Sequence, residues 1–134
     1  MNSINFNTPN VCGQGPDNLS VKTLRQTSAD FINGTRRLEA DVDGRAISLQ
    51  RIRSDVFAIA LPENNVFDAP CSDAGLGNVP AGIYSPAVDD GLYAILSPLR
   101  VGRHTIHFHA ENPSAGFVVD IIYILKVVPV LSRT

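Results

Sequence analysis

Apolar and polar residues alternate with a period of two along much of this chain, and with a helical period over one stretch only. Leu38 to Ala46 alternates around Asp43-Gly44, with Leu38, Ala40 and Val42 on one face and Glu39 and Asp41 on the other. Asp-Gly favours the positive φ angles of a two-residue turn, so this stretch predicts a β-hairpin. The alternation returns after Gly102: His104, Ile106, Phe108 and Ala110 share one face, while Thr105, His107, His109 and Glu111 take the other. A Pro/Gly break follows, then Phe117 to Val128, which predicts a second hairpin. Phe117, Val119, Ile121, Tyr123, Leu125 and Val127 form an apolar face that places Tyr123 in the core, and Val118, Asp120, Ile122, Ile124, Lys126 and Val128 form a mixed one.

Matching the two apolar faces demands an odd sum of paired residue numbers. The tightest loop, Asn112 to Ala115, pairs Glu111 with Gly116 and sets His107 against Asp120. Neighbouring registers bring His109 or Thr105 to Asp120, so each of them places Asp120 beside the polar face.

The helical period falls on Val21, Leu24, Ser28, Phe31 and Ile32, between an N-cap at Ser20 and a stop at Asn33-Gly34, and predicts one amphipathic helix over 21–33. Ile4 and Phe6 predict a short edge strand within a loop-like N-terminal segment, 1–18. Ile47 to Leu61 reads as one bent strand or two, with Arg51 and Arg53 on one face and Val56–Leu61 as a buried-type run. Leu92 to Leu96 reads as another strand, ended by Ser97-Pro98. Between them, 62–91 is rich in Pro, Gly, Asn and Asp and reads as a long loop, a feature that is usually functional or pinned down. Together these elements predict a mainly β fold in one domain, 1–134: an antiparallel β-sandwich or jelly-roll-like barrel with one short helix near the N-terminus.

Composition narrows the function. The chain has 134 residues, enough for a buried core, and a net charge of −2 with histidine neutral. That is no footprint for nucleic acid or an anionic membrane, which call for clustered Lys and Arg. The longest apolar run, 117–130, is broken by Asp120, Lys126 and Pro129, so membrane insertion is not expected. Met1 to Asn10 is polar and lacks a signal-peptide core, which predicts a cytosolic protein or a mature fragment without its leader. The two cysteines, Cys12 and Cys71, sit in loop-like surroundings. In an oxidising compartment they would form a disulfide, worth about 4 kcal/mol on chain-entropy grounds; in a reducing one they would be two thiols.

The chemically versatile side chains are few. His107 and His109, two apart on a strand, point the same way and could share a divalent metal ion with Asp120 from the partner strand. The His-x-His order invites comparison with a cupin motif, but Glu111 comes too early and no histidine follows His109. His104 falls on the core face and is expected to hydrogen-bond a turn or loop carbonyl. Tyr84, Asp89 and Asp90 are the candidate ligand-binding residues, around a groove under the long loop. Asp89-Asp90-Gly91 with Asp73 could also offer oxygen ligands to Ca²⁺, against the plainer reading of a turn. Ser85, Ser97 and Cys71 sit in no activating context, so no catalytic residue is assigned.

Gly102-Arg103-His104-Thr105-Ile106-His107-Phe108, followed by Phe117-x-x-Asp120-x-x-Tyr123, resembles a family of uncharacterised, mostly secreted bacterial proteins. Its members share a Pro-Gly-x-His-Thr-Ile-x-Phe hairpin, with Val101 standing here for the usual Pro. Asn18-Leu19-Ser20-Val21-Lys22-x-Leu24-Arg25, the Leu38–Ile47 hairpin and Tyr84-Ser85-Pro86-Ala87-Val88-Asp89-Asp90-Gly91 extend the resemblance over most of the chain from Cys12. It implies a secreted or periplasmic β-rich domain and no known activity. Family members carry a leader and an extra apolar strand before the Cys12 region. Here only Ile4-Asn5-Phe6 stands there, which leaves a sheet edge open.

Three readings of function follow. The first is a non-enzymatic binding or interaction module that self-associates into a homo-oligomer or meets a small ligand or protein partner. The second is a metal-dependent, cupin-like enzyme using His107, His109 and Asp120. The third is a structural envelope domain stapled by Cys12 and Cys71.

Overall fold

The strands and helices run in the order β1 (Asn2–Phe6), α1 (Val21–Asn33), β2 (Arg36–Val42), β3 (Arg45–Ala46), β4 (Gln50–Arg53), β5 (Phe57–Leu61), α2 (Asp68–Asp73), β6 (Gly82–Tyr93), β7 (Gly102–Asn112) and β8 (Phe117–Val127). This computed structural model describes residues 1–6, 19–73, 75 and 79–129. Among the described residues the fold is mainly β, with antiparallel sheets and two α-helices. One sheet is ordered β1-β6-β4, with β5 also pairing β6; the other is ordered β3-β2-β7-β8. The chain divides into two units. A hairpin unit comprises Met1, Phe31–Ile52 and Gly91–Thr134, and a core unit comprises Asn2–Asp30 and Arg53–Asp90.

In the core unit, Ser20 caps α1: its Oγ accepts from the Thr23 N–H at 3.1 Å, and its carbonyl accepts from the Leu24 N–H at 3.0 Å. Leu24 and Ser28, one helical turn apart, are buried, as are Ala87 and Val88 of β6. A second buried cluster joins Cys71, Val79 and Tyr84, with Phe6, Leu61 and Phe67 packed against it. The Phe6 ring lies 5.7 Å from those of both Phe67 and Tyr84, tilted to the first and edge-on to the second, an aromatic geometry that adds to burial.

The expected loop over 62–91 is corrected here: it contains α2 and most of β6. Its low-propensity composition is overridden by ladder pairing, for β5 runs antiparallel to β6 with Phe57 opposite Ala87 and Leu61 opposite Gly82. What remains of the loop is pinned by side chains. Asn65 Nδ2 donates to the Val79 carbonyl at 2.9 Å, and the Asp68 carboxylate accepts from the N–H groups of Asn65 and Val79. Two further expectations fail nearby. The Val56–Leu61 run is half-buried rather than buried, with Val56 before β5 and Ala58 and Ala60 within it exposed, because one face of an antiparallel strand can stay open. The strand expected over 92–96 is only the end of β6, and 94–100 form neither helix nor strand.

In the hairpin unit, Asp43 and Gly44 adopt φ of 52° and 74°, and Val42 lies opposite Arg45. That is the expected two-residue turn. β2 pairs with β7, Asp41 opposite His107 and Glu39 opposite His109, with a bulge between Arg36 and Glu39 where Arg37 takes φ 48°. β7 and β8 pair along their whole length, from Gly102 opposite Val127 to Asn112 opposite Phe117.

This register differs from the tightest-loop expectation. The turn sits one residue further along, and His109 rather than His107 lies opposite Asp120. Asn112 sets it. Its Oδ1 accepts from Ser114 Oγ at 2.7 Å and the Ala115 N–H at 3.2 Å, capping a 3-10 turn over Pro113–Ala115 that Gly116 closes at φ 61°. The Asn112 Nδ2 donates to the Phe31 carbonyl at 2.7 Å, satisfying an orphan acceptor in the last turn of α1. A Cβ on Gly34 would stand 3.0 Å from both Asn112 side-chain heteroatoms, so glycine lets this buried amide reach the helix.

Candidate functional site

The polar face of the hairpin unit carries a continuous row of charged and titratable side chains. His107 on β7 is its centre: Nδ1 lies 3.2 Å from Asp41 Oδ2 and Nε2 lies 2.7 Å from Asp120 Oδ1. His109 follows, with Nε2 3.1 Å from Glu111 Oε1 and Nδ1 3.7 Å from Asp120 Oδ2. Arg37, swung out by the bulge, closes the row at 3.2 Å from the same Glu111 oxygen. Asp120 reaches His107 on the diagonal, a contact that pleated antiparallel strands allow between long or flexible side chains.

Both nitrogens of His107 face carboxylates, which only accept when ionised. A neutral imidazole can donate once, so the imidazolium satisfies the pair best. The hydrogen bond with Asp120, then that with Asp41, accordingly holds the His107 pKa above its usual 6.5, and His107 holds Asp120 below its usual 3.8.

His104 repeats this arrangement at the end of the sheet. Its Nε2 lies 2.8 Å from the Arg100 carbonyl and its Nδ1 2.7 Å from Asp43 Oδ2. The expected loop carbonyl is therefore Arg100. The other partner, Asp43, also accepts from the Thr105 N–H at 2.8 Å. The hydrogen bond that His104 donates to Asp43, then that with Arg100, raises the His104 pKa, and His104 followed by the Thr105 N–H lowers that of Asp43. The turn residue chosen for its backbone thus also ties the β2–β3 hairpin to β7.

The proposed metal ligands His107, His109 and Asp120 do come together, but as a hydrogen-bonded row. The ring nitrogens of His107 are directed at two different carboxylates rather than at one point, so the three do not form a coordination shell. Among the described residues, no group of three or more His, Cys, Asp or Glu has the geometry to hold a metal ion, the Asp73, Asp89 and Asp90 set included.

The opposite face of the same sheet is apolar. Leu38, Ala40, Ile106, Phe108 and Ala110 line a cleft of about 200 Å³ with Ile47, Leu49, Leu92 and Leu96. Tyr123, expected in the core, is half-exposed and lies 5.8 Å from the Phe108 ring, because β8 is a terminal strand of its sheet and, among the described residues, pairs with β7 alone.

β8 is the least protected element of the hairpin unit. The other end of the sheet, β3, is two residues long, whereas β8 has eleven. Within Phe117–Val127 the only charges are Asp120 and Lys126, and there is no Pro. On the His-bearing face Val118, Ile122 and Ile124 are 63%, 65% and 67% exposed. Natural sheets blunt edges with short strands, bulges, prolines and frequent charges, and β8 shows little of this.

The ligand-binding candidates separate. Asp89 and Asp90 line a cleft of about 450 Å³ in the core unit, together with Lys22, Arg25 and Arg53 of α1 and β4. Arg53 Nε pairs with Asp90 Oδ2 at 3.2 Å, the carboxylate buried and the guanidinium largely exposed. Arg25 Nη1 donates to the Ser54 carbonyl at 2.9 Å. Tyr84 is a correction: it is buried with its hydroxyl donating to the Pro80 carbonyl, so it lines no groove and serves the core. Cys71 is buried and is not a free thiol; Cys12 lies outside the described residues, and with it the expected bridge.

Residue-level reading missed Arg37, Asp41 and Asp43 as partners of the histidine row. The period of two had put Asp41 on a polar face, but only the adjacency of β2 and β7 brings it to His107. No family model, no curated protein and no solved structure matches the chain. No helix among the described residues is long and apolar enough to cross a membrane.

Proposed function

We propose that this protein is a non-enzymatic interaction module whose working surface is the outer edge of β8. The observation that carries it is the eleven-residue terminal strand, nearly free of charge and flanked by exposed Val118, Ile122 and Ile124. An open edge offers a row of backbone donors and acceptors, and an added strand would satisfy them while covering these side chains. Chemistry at the histidine row is disfavoured, since the carboxylates that would serve a metal or a substrate are spent on His107 and His109. The same proposal keeps the sandwich or jelly-roll arrangement of the two sheets, the family resemblance and the Cys12–Cys71 bridge as expectations. Small-angle scattering bears on the arrangement, and intact mass with and without reductant bears on the bridge.

The test is light scattering of the purified chain over a range of concentrations, combined with hydrogen exchange. Slow exchange of alternate β8 amides, speeding up on dilution as the species lightens, supports the reading. A monomer at all concentrations whose outward β8 amides exchange fast, and which captures no extended peptide, overturns it.

A second reading rests on the core-unit cleft. The Arg53 guanidinium is largely exposed while its Nε donates to Asp90, and Lys22 and Arg25 line the same cleft. Such a fork suits a small carboxylate. Calorimetric titration with simple dicarboxylates, with Arg53→Met as control, tests it; heat that is unchanged in the variant counts against the cleft.

A further inference from the structure

We infer that the strand that joins β8 is β8 of a second copy, antiparallel about a twofold axis through Tyr123; this rests on the edge reading above. A closed dimer places the same patch on both partners, so the strand must be complementary to itself. Antiparallel continuation of the sheet sets like-facing residues opposite one another, which leaves few registers to compare. About Ile122, Asp120 would face Ile124 and Lys126 would face Val118. About Ile124, Asp120 would face Val128 and Lys126 would face Ile122. Moving the axis to Asp120 or Lys126 sets like charges together, which is destabilising.

About Tyr123 every pair matches. Asp120 meets the partner copy's Lys126 twice, once on each side of the axis. Ile122 meets Ile124 and Val118 meets Val128 on the histidine face, while on the other face Ile121 meets Leu125, Val119 meets Val127 and Tyr123 meets itself. The residues this would cover are the exposed ones: Val118, Ile122, Tyr123, Ile124 and Val128 are each half-exposed or more. The strand's two charges thus sit where they select this register, and each Asp120 would lie between His107 of its own chain and a lysine of the other. The product is one continuous eight-stranded antiparallel sheet across the dimer.

Single-cysteine cross-linking of the full chain under mild oxidation reads the register directly, because only a residue on the axis faces its own copy. Tyr123→Cys is expected to give a covalent homodimer linked Cys to Cys at 123 by peptide mass. Ile122→Cys and Ile124→Cys should each stay unlinked alone and link when mixed. Lys126→Asp should weaken the dimer about tenfold or more by light scattering, and Asp120→Lys with Lys126→Asp together should restore it. Self-linking at 122 or 124, or no recovery in the double variant, overturns the register while leaving the edge reading standing. A native monomer, or a dimer that no β8 cysteine links, overturns both.

Discussion

The two units solve the problem of a small β domain in different ways. The core unit buries Leu24, Ser28, Cys71, Val79, Tyr84, Ala87 and Val88, and apolar area removed from water supports it. The hairpin unit holds β7 and β8, paired along their whole length, yet its buried side chains are Ile32, Ala110 and Asn112 among the described residues. Its order comes from backbone ladders, a capped turn and a row of histidine–carboxylate contacts. A sheet supported mainly by hydrogen bonds gains little net stability per bond and leaves apolar side chains uncovered. The lesson is that the well-packed region has an interior of its own, whereas the well-paired region leaves a contiguous apolar strand uncovered, Val118, Ile122, Tyr123 and Ile124, and so keeps a reason to associate.

The largest effect that tests this contrast is a pair of truncations. Leu24→Ala should cost about 2–5 kcal/mol in denaturant unfolding, because the site is closed and cannot collapse without a cavity. Ile122→Ala, removing as large a side chain from an exposed position, should change monomer stability by no more than about 0.5 kcal/mol while lowering the tendency to associate. Equal losses for the two would mean that β8 is covered within its own chain, and the contrast would collapse.

Next in size is Asn112→Ala. The side chain is 1% exposed and serves the Phe31 carbonyl, Ser114 Oγ and the Ala115 N–H. Leaving such groups unsatisfied should cost about 1–3 kcal/mol, with the loss felt at the β7–β8 turn. Hydrogen exchange that speeds up at Ala115 and β8, and not at β5 or β6, is the expected pattern. A loss spread evenly over both units would deny Asn112 its local role.

Legibility followed the same division. Helix α1 emerged at the bounds expected for it, because cap, period and stop agree within fifteen residues. The Asp43-Gly44 turn and the face assignment of both hairpins were likewise local facts. β6 was not legible, since Gly, Pro and paired Asp argue for loop and only β1, β4 and β5 make the segment a strand. The histidine row was half legible. His107, His109 and Asp120 could be put on one face from alternation, but their engagement with Asp41, Glu111 and Arg37 required strand order and a bulge. The consequence for chemistry is direct: a His-x-His pair reads as a metal site until its neighbours prove to be carboxylates already spent on it.

The smallest expected effect is in pH, because solvent screens contacts on an exposed face. All three histidines belong to the hairpin unit, so the core unit serves as an internal control. His104 and His107 hold their protons more tightly folded than unfolded. Their contribution is therefore complete below the ordinary histidine value of 6.5 and is lost as pH rises through the raised folded values. Asp43 and Asp120 are held below 3.8, so their contribution is complete above that value and is lost as pH falls through the lowered ones. The groups facing His107 are Asp41, Asp120 and neighbouring His109, and those facing His104 are Asp43 and the Arg100 carbonyl. Exchange protection of β2, β7 and β8 should accordingly be greatest between about pH 4 and 6.5 and decline on the alkaline side, while β5 and the first half of β6 stay level. Replacing both histidines in a His104→Gln/His107→Gln chain should flatten the alkaline decline. If the decline keeps its slope in that chain, the row is a solvated surface, and what distinguishes the hairpin unit is its pairing alone.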